Sequence, residues 1–206
     1  MNKKQFLTLI FLKTVAFSIA ADSNTDFWTA IKDRNLQNIE TALNNGADVN
    51  KKGTQGKTAL IWAAYYQNKE MVQLLYDNGA NVDQKDDRDE TALMTAVNNG
   101  NEEIVELLVG ANANVNESTR EGTTALMIAA KSGKKDIVEL LLDAGASIDA
   151  KDDKDQTALM IAAKNRKKDV AQLLLERGAD KTLRNQYEKT AYDLAATQEI
   201  KDLIKN

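Results

Sequence analysis

The 206 residues contain no cysteine and no histidine. Without cysteine there is no disulfide framework, no thiolate nucleophile and no cysteine metal site. Without histidine the commonest general base near neutral pH and the commonest zinc ligand are missing. Chemistry would have to run on carboxylates, hydroxyls or lysines, and no Gly-rich phosphate loop is present. An enzyme or toxin built on paired carboxylates is argued against further by where the acids fall, in polar turns rather than around a pocket. Asp86-Asp87 with Asp89-Glu90 suggests calcium by charge alone, lacking the alternating ligands and central glycine of an EF-hand loop. No catalytic residue, cofactor or metal site is expected.

What is present is ordinary for a folded chain: 43% hydrophobic and 28% charged residues, enough for one folding unit. The first residues differ from the rest. Lys3 and Lys4 precede the apolar run Phe6 to Leu12, and Phe17-Ser18-Ile19-Ala20-Ala21 leads into polar sequence at Asp22. This pattern predicts a secretory signal peptide over 1–20, with Ser18 and Ala20 as the small residues before the cut and Ala21 as an alternative cut. Lys13 splits the apolar stretch, which is too short for a membrane anchor needing about 20 apolar residues. Loss of Lys3, Lys4 and Lys13 leaves 24 basic against 31 acidic residues, a net charge of −7. An acidic chain is a poor binder of the phosphate backbone, so no nucleic-acid partner is expected.

Thr-Ala-Leu recurs at Thr58, Thr91, Thr124 and Thr157, with Thr190-Ala191-Tyr192 following, each step 33 residues long. One supersecondary unit is therefore repeated along most of the chain. Each Thr can cap a short helix, as in Ala59-Leu60-Ile61-Trp62-Ala63-Ala64, whose alanines let a neighbour approach closely. A second helix follows, with apolar residues on one face: Met71-Val72/Leu74-Leu75, Ile104-Val105/Leu107-Leu108, Ile137-Val138/Leu140-Leu141 and Val170-Ala171/Leu173-Leu174. Gly79, Gly145 and Gly178 provide left-handed stops, with Asn112 in their place in the middle unit. Then come Ala-Asx-Val-Asx and a polar turn leading to the next Thr.

Helix, helix and polar finger with a Thr-x-Leu opening resemble the ankyrin repeat family over about residues 25 to 206. Ala stands where proline usually follows the Thr. Ile61, Met94, Met127 and Met160 stand where histidine usually follows the Leu, exchanging a polar link for apolar packing. The resemblance implies an all-α solenoid of helix-turn-helix units with protruding β-hairpin or turn fingers. The ankyrin domain is expected over 21–206: 25–57 as a degenerate first unit, then 58–90, 91–123, 124–156 and 157–189, and 190–206 as a truncated last unit. Backward projection puts Phe27 at the buried Leu position, with Ile39, Leu43 and the stop Gly46 behind it.

In the family, partners are held by the fingers and the exposed end of the first helix, on the concave side. The matching positions include Gln55, Lys57, Tyr65 and Tyr66; Asp87, Arg88, Glu90, Asn98 and Asn99; Arg120, Glu121 and Lys131; Asp153, Lys154 and Lys164. Tyr65 and Tyr66 stand out, since tyrosine is enriched in binding hot spots; alternatively, one ring packs over the first unit as a lid on Phe27 and Trp28. Trp62, in register with Ile128 and Ile161, is expected in the core. Lys131, Lys134, Lys135, Lys164, Arg166, Lys167 and Lys168 form a basic rim, read either as a contact for an acidic partner or as a solubilising edge. Asn116-Glu117-Ser118 is a glycosylation sequon. The resemblance implies a non-catalytic, monomeric scaffold holding a partner protein, in the periplasm or outside the cell if the signal is cut. The alternatives are an intracellular regulatory scaffold and a spacer without a dedicated ligand.

Overall fold

A computed structural model describes residues 23–205; the predicted signal segment lies outside the described residues. Within them the chain forms helices α1 (23–33), α2 (Leu36–Asn44), α3 (Ala59–Tyr65), α4 (Lys69–Asp77), α5 (Ala92–Asn99) and α6 (Glu102–Gly110). They continue as α7 (Ala125–Ser132), α8 (Lys135–Asp143), α9 (Ala158–Lys164), α10 (Lys168–Glu176), α11 (Ala191–Leu194) and α12 (Gln198–Lys205). From α3 onward the odd-numbered helices stack into an inner row, and the even-numbered helices from α2 stack behind it. A finger leaves each even helix and returns to the next inner one. The fold is an all-α repeat solenoid.

The threonines start the inner helices as their chemistry requires. The Oγ1 atoms of Thr58, Thr91, Thr124 and Thr157 accept from the N–H groups of Ile61, Met94, Met127 and Met160 at 3.2, 3.3, 3.4 and 3.4 Å. All four threonines are buried, so each cap satisfies a donor that water cannot reach. Thr190 does the same for Asp193, whose carboxylate accepts in return from the Thr190 N–H, closing a capping box on α11. The outer helices α2, α4 and α6 use asparagine: Asn35, Asn68 and Asn101 accept from the third residue on. Lys134 and Lys167 stand at the same place before α8 and α10 and make no side-chain cap.

Helix ends follow the predicted stops. Gly46, Gly79, Gly145 and Gly178 have φ between 83° and 90°, and Asn112 has φ 61°. Buried between the rows lie Leu60, Leu93, Leu126 and Leu159 from the inner helices with Val72, Val105 and Val138 from the outer ones. Each such leucine contributes about 1.5–3 kcal/mol by leaving water. Ile61, Met94, Met127 and Met160, at the family's usual histidine position, are all buried. In the first unit Phe27 and Ile39 are buried, but Ala42 rather than Leu43 joins Ile39 as the second buried residue of α2, and Leu43 is half-buried.

The fingers are turns. Among the described residues the only extended pairing is an isolated bridge between Ser118 and Thr124. Each finger closes on itself: the N–H groups of Gly53, Asp86, Thr119, Asp152 and Asn185 donate to the carbonyls of Lys57, Glu90, Thr123, Gln156 and Lys189 at 2.8–3.1 Å. Each finger after the first also donates to the one before it, Asp87 to Gln55, Arg120 to Arg88, Asp153 to Glu121 and Gln186 to Lys154, at 3.0–3.3 Å. A second row joins neighbouring units at the finger bases, where the Oδ1 atoms of Asn50, Asp83, Asn116 and Asp149 accept from the N–H groups of Asn81, Asn114, Ser147 and Asp180. Asn116 also donates to the Gly145 carbonyl. The sequon asparagine thus has a structural task shared by the equivalent residue of each neighbouring unit.

Candidate functional site

Between fingers and inner helices runs a groove. Its central cavity, about 560 Å³, is walled on the finger side by Gln55, Lys57, Arg88, Glu90 and Glu121, floored by Trp62, Met94, Thr95 and Ile128, and walled opposite by Tyr65, Asn98 and Asn99. A cavity of about 470 Å³ adjoins it at the first two units, lined by Trp28, Ile31, Lys32, Gly53, Thr54, Trp62 and Tyr66. A third, of about 620 Å³, lies at the fourth and fifth units and contains Lys131, Lys164, Lys167 and Asp152.

The repeat sets what each stripe of this groove presents. Tyr65, Asn98, Lys131 and Lys164 occupy one register position at the ends of α3, α5, α7 and α9, and all four are exposed. One helical turn earlier, Trp62, Thr95, Ile128 and Ile161 are half-buried along the floor. Trp62 was expected in the core. It is half-buried instead, packed against the core on one side and lining the groove on the other.

Three aromatic rings cluster there. Trp62 stacks on Tyr66 with centroids 5.6 Å apart and planes 27° apart, and meets Tyr65 edge-on at 5.5 Å. The Arg34 guanidinium lies 4.5 Å from the Tyr66 centroid, closing the other face of that ring. Tyr66 is therefore held between Trp62 and the first unit, whereas Tyr65 is 57% exposed. Of the two tyrosines, Tyr65 is the one that faces solvent. Trp28 packs edge-on against Phe27 and sits over Gly53, where an added Cβ would lie 3.0 Å from its ring. Glycine occurs in this finger where the others carry Asp86, Thr119, Asp152 and Asn185, because the indole fills the space a side chain would need.

Several expected contacts are already engaged. The Lys57 ammonium lies 2.9 Å from Asp86 Oδ2 and 3.8 Å from Glu90, only 13% of its side chain remaining exposed. Burial pushes the Asp86 carboxyl up, but Lys57 and the N–H groups of Arg88 and Glu90 outweigh this and hold it below the usual carboxylate range. Lys57 is thus a tie between the first two fingers rather than a free contact. Asn99 donates to the carbonyls of Ala64 and Tyr65 at 3.2 and 3.3 Å, satisfying the end of α3. Asp87, Arg120, Asp153 and Lys154 stand at finger tips and line none of these three cavities; Arg120 faces Asp89 at 3.7 Å. Gln55, Arg88, Glu90, Asn98 and Glu121 share the central cavity with Tyr65. Lys131 and Lys164 line the third cavity, again with Asn98. Trp28, Trp62, Thr95 and Ile128 were not expected on the binding surface, although the 33-residue register marks the last three as one stripe.

What this surface offers is recognition: aromatic faces at one end, amides and mixed charges in the middle, ammonium groups at the other. The comparisons with known proteins agree in kind. A family model for ankyrin repeats in three copies matches residues 7–86, 27–118, 93–185 and 150–205. No curated protein matches the chain.

Proposed function

This chain belongs to the ankyrin repeat family, whose members are in general non-catalytic scaffolds for protein–protein contacts, and on that premise we propose that its own partner is a protein held in the groove between fingers and inner helices. The observation that carries this is Tyr65: a large ring 57% exposed, braced by Trp62 at 5.5 Å, at the edge of a preformed cavity. A large aromatic ring left mostly in solvent and pre-positioned by its neighbours is what a protein interface uses as an anchor. An interface of about 800 Å² per partner is within reach of four or five fingers and helix ends.

The test is capture with the full chain as bait, beside Tyr65→Ala. Because Tyr65 is exposed, the variant keeps the fold, and a bound protein lost on this change places the partner in the groove. Equal capture by both baits would remove Tyr65 from the interface.

The proposal extends to export, with the partner in the periplasm or outside the cell. Its support is the order of Lys3, Lys4, the apolar run to Leu12 and the small residues Ser18 and Ala20. Among the described residues no helix is long and apolar enough to cross a membrane. The mass of the chain purified from its producing cell decides: loss of the first 20 or 21 residues supports export, and an intact N-terminus found in the cytoplasm rejects it.

A further inference from the structure

The groove changes character from one end to the other, and that narrows what fits it. Its first two units present Trp28, Ile31, Trp62 and Tyr66 around a mostly apolar cavity. At the fourth and fifth units Lys131, Lys164 and Lys167 converge on another. The single acid there, Asp152, is held by the N–H groups of Lys154 and Gln156, which donate to its Oδ1 at 2.8 Å each, and one carboxylate against three ammonium groups leaves the cavity with an excess of positive charge. None of the ion pairs among the described residues uses Lys131, Lys164 or Lys167. Between the two ends Arg88, Glu90 and Glu121 share the finger-side wall of the central cavity, a mixture of both signs. A single register position thus passes from aromatic to amide to cation to cation, as Tyr65, Asn98, Lys131 and Lys164, although these units are otherwise near copies.

Resting on the scaffold reading above, we infer that the groove takes one extended segment of a partner protein, with a bulky apolar side chain seated at the Trp62–Tyr65 end and acidic side chains against Lys131 and Lys164. Packed helices lie about 8–10 Å apart, so two unit steps separate Tyr65 from Lys131 by roughly 16–20 Å and three separate it from Lys164 by roughly 24–30 Å. At about 3.3 Å per residue the acids belong about five to nine residues from the apolar anchor. Three unpaired ammonium groups in one cavity repel one another, and carboxylates arriving there relieve that repulsion while setting direction and register. A uniformly apolar or basic segment gains nothing at the second end.

The experiment is a titration of the full chain with synthetic peptides of about twelve residues, read by tryptophan emission. The chain's two tryptophans are Trp28 and Trp62, and both line the apolar end, so the signal reports that end directly. One peptide carries phenylalanine and, about seven residues on, two glutamates; a second reverses the order; a third places phenylalanine and glutamates side by side; a fourth replaces the glutamates by lysine. Saturable binding is expected for one of the first two, weakened on the order of tenfold or more by Tyr65→Ala and by Lys131→Glu/Lys164→Glu. The lysine peptide should bind the double charge variant in preference to the wild type. Equal affinity for all four peptides, or no saturable signal, overturns the inference. So does phenylalanine amide binding as tightly as the peptides, which would mark a small-molecule site, and so does a concentration-dependent dimer abolished by Tyr65→Ala, which would put a second copy in the groove. Failure of the peptides leaves the scaffold reading to its own capture test, which depends on Tyr65 and not on the lysines.

Discussion

The Lys57 ammonium and the Asp86 carboxylate, 29 residues apart in sequence, meet at 2.9 Å with 13% and 1% of their side chains exposed. Removing the cation leaves a buried carboxylate with only backbone donors. Lys57→Met should therefore cost about 2–3 kcal/mol, read as a lower urea midpoint, and Asp86→Asn should cost less because the amide oxygen can still accept from Arg88 and Glu90. Stability of Lys57→Met equal to wild type would show that the pair contributes nothing.

The same carboxylate sets an acid limit. Its pKa is lowered in the folded protein, so its contribution is fully present above the unfolded value, about 3.9, and is lost as pH falls through the folded one. Urea midpoints should drop below about pH 4, and Asp86→Asn should shrink that drop. Since the chain has no histidine, midpoints between about pH 5 and 7 should stay level. A midpoint that moves steeply across that interval would contradict this account.

Gly53 has φ −95°, outside the left-handed region, and the obstacle to an added side chain is the Trp28 ring at 3.0 Å. Gly53→Val should displace the indole, shift tryptophan emission and cost about 1–3 kcal/mol. Unchanged emission would mean that the ring does not rest on this finger. Gly56 differs: its φ is +67° and its Cβ would lie 2.8 Å from the Asp87 backbone nitrogen, so Gly56→Ala should disturb the finger even though alanine is the smallest addition.

Lys134→Asn and Lys167→Asn should stabilise. Asn68 and Asn101 cap α4 and α6 from backbone conformations close to those of Lys134 and Lys167, and a good cap is worth about 1 kcal/mol. Removing a cation from a helix start adds to this. A raised thermal midpoint for each variant is expected; a fall would show that the lysine stems lying over Gly100 and Gly133 matter more than the missing cap.

Much of the fold could be read from single residues. Thr58 and its equivalents announce a cap by chemistry that acts within three residues, and Gly79 or Asn112 announces a stop by its own φ. What escaped the sequence acts between units. Lys57 looked like a free contact because its partner sits in the next finger, and Asn99 looked available although it donates to carbonyls at the end of α3. Trp62 was assigned to the core because Ile128 and Ile161 share its register, yet all three are only half-buried. An apolar stripe predicts a covered face and cannot say whether the cover is this chain or another.

The row of hydrogen bonds from Asp87 to Gln55, Arg120 to Arg88, Asp153 to Glu121 and Gln186 to Lys154 ties each finger to its neighbour alone. Such a wall behaves as a leaf spring. Opening it by a given amount spreads the deformation over several weak, identical joints, so the groove can flex around a guest by a little at every step while each joint stays closed. The aromatic end is the stiff clamp of that spring, because there the Lys57 pair and the Trp28 ring brace the first leaf.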